Sequence, residues 1–159
     1  MRKRGVLGLA IYHLRLKLIS RALGRAARPG GATRRSVVAA AAYRSCERLH
    51  DSSQDKWFEF DKPDIVHTEI LAPDNAPDWV FDRSKLWNIV ERSEKRCDAQ
   101  LAREVEITLP RELTEAQHIE LVREFVRDQF VAKGMVAVRY GGGHGRAISP
   151  PITDPGGAS

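Results

Sequence analysis

Apolar and polar residues alternate at the start of the chain. Between Ala10 and Ile19, Tyr12, Leu14, Leu16 and Leu18 fall on one side, and His13, Arg15 and Lys17 on the other. A period of two with separated faces predicts a half-buried strand whose polar side is basic. A turn-rich basic stretch follows, Gly24 to Arg35, centred on Pro29-Gly30-Gly31. From Ser36 to Leu49 the chain carries four consecutive alanines and no breaker, which predicts a helix capped by Thr33 or Ser36. Residues 50–64 are polar and interrupted, with a short strand expected at Trp57-Phe58-Glu59-Phe60.

Ile65 to Leu71 reads as a further strand, ended by Pro73 and Pro77. A second helix is expected from Asp82 or Ser84 to Cys97, with Leu86, Ile89 and Val90 on its buried stripe. Alternation returns at Leu101 to Leu109: Val105, Ile107 and Leu109 on one face, Glu104, Glu106 and Thr108 on the other. Thr114 with Gln117 three residues later is a capping-box pattern. Behind it, Ile119, Val122, Val126 and Phe130 recur at helical spacing, and Gly134 stands as terminator. Met135 to Tyr140 begins another apolar run. The order β-α-β-β-α-β-α-β predicts an α+β fold with helices packed on a largely antiparallel sheet.

The last residues, 141–159, hold six glycines and three prolines with no periodic apolar positions. Such a stretch buries too little surface to offset its chain entropy, so it is expected to be a disordered tail. The other reading is a frame that leaves the parent gene near Val138.

Composition narrows the class. The chain has 159 residues, 42% hydrophobic and 30% charged, which suits one globular domain. The early apolar stretch Val6 to Tyr12 is far short of the roughly 20 residues that cross a bilayer. Two cysteines are too few for a disulfide framework. A cytoplasmic protein with reduced thiols is therefore expected. The net charge of +5 conceals an asymmetry: residues 1–50 hold 12 Lys/Arg and one acid, the remainder 14 Lys/Arg against 20 acids. A basic first third suits a polyanion, and a solvated basic arm without a ligand suits it equally.

Tyr43 lies on the Ala-rich helix, next to Arg44 and inside the basic third. A phenol with a pKa near 10 attacks phosphorus only with a nearby cation to stabilise it. A helical tyrosine is more often simply packed, with its hydroxyl hydrogen-bonded. Glu104 and Glu106, two apart on a strand, share one face. They suit a hard cation, a base, or the wet side of an antiparallel strand. The five histidines show no close ligand spacing, and there is no zinc-type motif or phosphate-cradling loop.

Three segments in order, Ala10-Ile11-Tyr12-His13-Leu14, Ser36 to Ser45 and Ala99 to Leu113, resemble the MobA/MobL family of plasmid relaxases, including the TraA-type conjugation proteins. His67-Thr68-Glu69-Ile70-Leu71 and Phe125 to Met135 fit the same pattern, and the resemblance covers residues 9–136. It implies a relaxase (HUH endonuclease-like) fold. The implied activity is nicking of single-stranded DNA at an origin of transfer through a phosphotyrosine intermediate, with a divalent cation (Mg or Mn) held by three histidines. By position, Tyr43 is the implied nucleophile, and Glu104 and Glu106 border the metal site. His13, Arg15, Lys17, Arg34, Arg35, Arg44 and Arg48 are the implied contacts to DNA. Past Met135 the chain departs from the family pattern, and the histidine triad is missing. The resemblance therefore implies an extension at 1–8, a partial relaxase domain at 9–140 incomplete at its C-terminal end, no bound cation and little nicking. A non-catalytic basic DNA-binding module and a gene remnant are the alternatives; no membrane partner is expected, and oligomeric state is left open.

Overall fold

The computed structural model describes residues 13–21, 36–61, 65, 67–96, 99–142 and 144–149, with side chains described only up to Gly141 in the last stretch. Among the described residues seven strands and three α-helices follow in order: β1 (His13–Ser20), α1 (Val37–Ser45), β2 (Leu49–Asp51), β3 (Lys56–Phe58), β4 (His67–Leu71), α2 (Arg83–Ser93), β5 (Gln100–Thr108), α3 (Glu115–Gln129), β6 (Ala137–Gly142) and β7 (His144–Ser149). Five strands form an antiparallel sheet in the order β1-β5-β7-β6-β4, and β2 with β3 makes a separate hairpin. The α+β architecture expected from the pattern is therefore present.

Two corrections follow. The expected disordered tail is structured over residues 141–142 and 144–149. The end of β6 and all of β7 join the sheet, β7 pairing with β5 from Arg103↔Ser149 to Ile107↔Gly145 and with β6 from Val138↔Ile148 to Gly142↔His144. Backbone ladders need no apolar alternation, so a strand without one, lying between two others, escapes a periodicity search. The sheet thus does not stop at Tyr140; residues 150–159, like the extension at 1–8, lie outside the described residues. The second correction concerns β1. Its Leu14, Leu16 and Leu18 are 49%, 59% and 51% exposed, although the alternation implied burial.

Each face of the sheet carries a core. On one, α3 packs Val122 and Val126 onto Val105, Ile107, Leu71 and Ala137. The helix starts as its sequence dictates: Thr114 and Gln117 close a capping box, and Gly134 adopts a left-handed φ of 84° just beyond. On the other face α1 and α2 bury Val37, Val38, Ala41, Ala42, Leu86, Trp87 and Val90 against Leu101, Ala102, Val138 and Tyr140. This second face carries the candidate site.

Candidate functional site: a tyrosine helix held against the carboxylate strand

Helix α1 buries Val37, Val38, Ala41, Ala42 and Ser45, a stripe that recurs at helical spacing. Tyr43 falls between those positions and so points outward, 42% exposed. Both helix ends are anchored. At the start, the Ser36 hydroxyl accepts from the Ala39 N–H at 3.2 Å and donates to buried Asp51. Buried Glu91 of α2 accepts the Val37 N–H at 2.9 Å, placing a carboxylate where the helix dipole favours one. Glu91 also pairs with Arg21 at 3.0 Å. Burial would raise the Asp51 carboxyl, but hydrogen bonds from Ser36, Ser53 and Gln54 outweigh it and hold the group below its ordinary value.

At the far end the chain turns through Cys46 in the left-handed region, φ 55°. One residue before the end of α1, Arg44 reaches the sheet. Its Nε and Nη2 donate to the two oxygens of Glu104 at 3.0 and 2.9 Å, and its Nη1 donates to the Ala40 carbonyl at 2.9 Å. Glu104 is only 4% exposed. The guanidinium fork therefore fastens the tyrosine helix to β5.

The antiparallel register places Arg15 opposite Glu106 and Lys17 opposite Glu104, so β1's basic side shares the carboxylates' face. Lys17 Nζ lies 2.8 Å from Glu106. Lys17 and Arg44, expected to face DNA, are thus each engaged by a carboxylate. His13 and Arg15 are exposed along β1. Arg48 lies 4.5 Å over the exposed Trp57 ring and 3.9 Å from Glu59. Arg34 and Arg35 lie outside the described residues. Three further residues shape the site without a signature in the sequence: Glu91 reads as an ordinary helical acid, Asp51 sits in a polar stretch, and Phe60, expected within the strand from Trp57, falls just past the observed β3.

The described residues do not fit a divalent cation. Glu104 and Glu106 face Arg44 and Lys17, and Glu69 on β4 meets Arg123 at 3.2 Å and Arg139 at 3.4 Å. His67 lies 3.3 Å from Glu69, His50 3.0 Å from Asp55, and His118 binds the Pro110 carbonyl at 2.6 Å. Among the described residues no three His, Cys, Asp or Glu gather as a metal site. On the neighbouring β6, Tyr140 is buried, and burial pushes that phenol well above its ordinary pKa.

A chain solved in work on the molecular basis of vancomycin resistance transfer in Staphylococcus aureus has the same architecture. Its TM-score is 0.78 with 29% identity, over 92% of this chain and 73% of that one. The fold, with its outward tyrosine on a helix over an antiparallel sheet, is that of the relaxase class. The chain belongs to the MobA/MobL family, whose model matches residues 35–140. It is 41% identical over 140 residues to the conjugal transfer protein TraA of Rhizobium radiobacter, covering 81% of this chain and 12% of that protein. It is 36% identical over 146 residues to the mobilization protein MobL of Acidithiobacillus ferridurans, covering 91% of this chain and 33% of that one. The chain thus spans a small part of the length of these relatives. Among the described residues no helix is long and apolar enough to cross a membrane.

Proposed function

We propose that this domain acts on single-stranded DNA at an origin of transfer, with Tyr43 as the group that meets the scissile phosphate. The observation that carries the reading is the outward phenol on a helix anchored at both ends, in a MobA/MobL domain. In the proposed step the Tyr43 oxygen bonds to phosphorus as the P–O3′ bond breaks. The phenolic proton passes to solvent, and the departing oxygen takes one up as a 3′ hydroxyl. The 5′ phosphate stays on the tyrosine, so one phosphodiester is exchanged for another and no external energy source is needed.

Nicking by this chain is expected to be slow. A positioned cation commonly supplies much of the charge stabilisation in such a step. Here Arg44 and Lys17, two of the side-chain cations on the carboxylate face, already face Glu104 and Glu106. That same observation favours a second reading, a module that holds DNA through its basic segment without cutting it.

Both readings are tested with single-stranded oligonucleotides tiling the DNA that flanks the gene, with added Mn²⁺ or Mg²⁺. A covalent adduct that disappears in Tyr43→Phe supports nicking. Salt-sensitive binding without an adduct, unchanged in Tyr43→Phe, supports the holding module. Absence of binding at low salt overturns both.

A further inference from the structure

Tyr43 meets a second aromatic ring brought from a different part of the chain. Phe60, just past β3, sets its ring against Tyr43 with centroids 5.4 Å apart and planes at 86°. The two rings are 42% and 36% exposed, so the contact lies at the surface and is not core filling. Edge-to-face aromatic pairs have a defined geometry, and what an exposed one chiefly limits is the swing of the rings.

The strands that deliver Phe60 have only three residues each, and an isolated hairpin of that size is marginal in water. This one is tied to the frame that fixes α1. Asp51 of β2 is hydrogen-bonded by Ser36, the N-cap of α1. Asn88 of α2 donates to the His50 carbonyl at 2.8 Å and accepts from the Ser52 N–H at 2.8 Å. Leu49 is buried with Val37 and Val38. Tyr43 and Phe60 thus come from separate elements referenced to the same anchors.

We infer that Phe60 is a positioning residue for Tyr43, bracing one side of the phenol so that its hydroxyl is presented to bound DNA in a narrow range of directions. The inference rests on the reading of Tyr43 as the nucleophile. A phenol on an exposed helix face can swing about two side-chain torsions, and in-line attack on phosphorus tolerates little of that swing. A ring set against one side removes part of the freedom.

The test uses the whole chain, Phe60→Ala, and Phe60→Trp as the variant that restores a ring. With saturating oligonucleotide and Mn²⁺, Phe60→Ala is expected to slow adduct formation roughly two- to ten-fold. Half-saturating DNA and melting temperature stay unchanged, and Phe60→Trp recovers most of the rate. A wild-type rate in Phe60→Ala overturns the inference, as does a loss that merely follows weaker binding or unfolding. Fluorine NMR of 3-fluorotyrosine-labelled chain, with the resonance assigned by its loss in Tyr43→Phe, separates this result from failure of the nucleophile reading. If wild type forms no adduct, the nucleophile reading falls. The brace then stands if the Tyr43 resonance moves in Phe60→Ala and returns in Phe60→Trp, and falls if it does not move.

Discussion

Arg44 and Glu104 form a two-pronged ion pair, 3.0 and 2.9 Å, between the residue after Tyr43 and the middle of β5. The side chains are 18% and 5% exposed, so the pair is largely withdrawn from water. Removing one partner of such a pair strands the other. Glu104→Gln is expected to lower unfolding free energy by about 2–4 kcal/mol. Arg44→Lys, which keeps the charge but loses the fork, is expected to cost about 1 kcal/mol. Urea unfolding of the two variants and their double measures the coupling. Additive losses would show that the pair does not fasten the helix.

Asp51 gives the fold an acid-sensitive joint. Its carboxyl is held below the ordinary value because the folded state hydrogen-bonds the charged form. A depressed folded pKa means the contribution is complete above the unfolded value of 3.8 and is lost as pH falls through the lower folded value. Wild type should therefore lose stability steeply below about pH 4, and Asp51→Asn should flatten that part of the profile while costing about 1–3 kcal/mol at neutral pH. Urea midpoints from pH 6 to 2.5 check both. Equal acid slopes in the two proteins would remove Asp51 from the account.

Local signals were the legible part of this fold. The alanine run gave α1, the Thr114–Gln117 pair gave the start of α3, and alternation gave β5 and the end of β1 within about a residue, the expected start of β1 at Ala10 lying outside the described residues. The family resemblance singled out Tyr43 on α1 and Glu104 on β5. What escaped was pairing between distant segments. β7 has no hydrophobic period because its stability comes from ladders on both sides. The contact between Arg44 and Glu104 depends on how α1 crosses the sheet, which periodicity does not encode. The same holds for Phe60, whose partner is set by a hairpin whose first strand, Leu49–Asp51, is only three residues long. Alternation also fixed the faces of β1 without saying which one α3 would cover.

Tyr140 is 3% exposed, and among the described residues no well-formed hydrogen bond reaches its hydroxyl. The Trp87 indole N–H lies close to that hydroxyl and likewise has no well-formed partner among the described residues. A buried hydroxyl without a partner costs about 1–3 kcal/mol, while the ring itself fills the core between α2 and the sheet. Tyr140→Phe keeps the ring and removes the liability, so it is expected to stabilise the domain by about 1 kcal/mol. Urea unfolding reads this as a higher midpoint with an unchanged slope. A lower midpoint would mean that the hydroxyl is satisfied in solution.

Leu14, Leu16 and Leu18 make an apolar stripe on β1, which is the sheet's edge among the described residues. The register partners of Leu14 and Leu16, Ile107 and Val105 on β5, are buried under α3, so the helix covers the inner strands and stops short of the edge. An exposed apolar edge strand is a template for unwanted pairing. Replacing Leu16 and Leu18 by threonine keeps β propensity and removes the stripe. Because these side chains are about half exposed, unfolding free energy should change by less than about 0.5 kcal/mol for each. Light scattering at rising protein concentration should show self-association in wild type and less of it in the double variant. A loss of about 2 kcal/mol or more per leucine would instead show the stripe to be covered in solution.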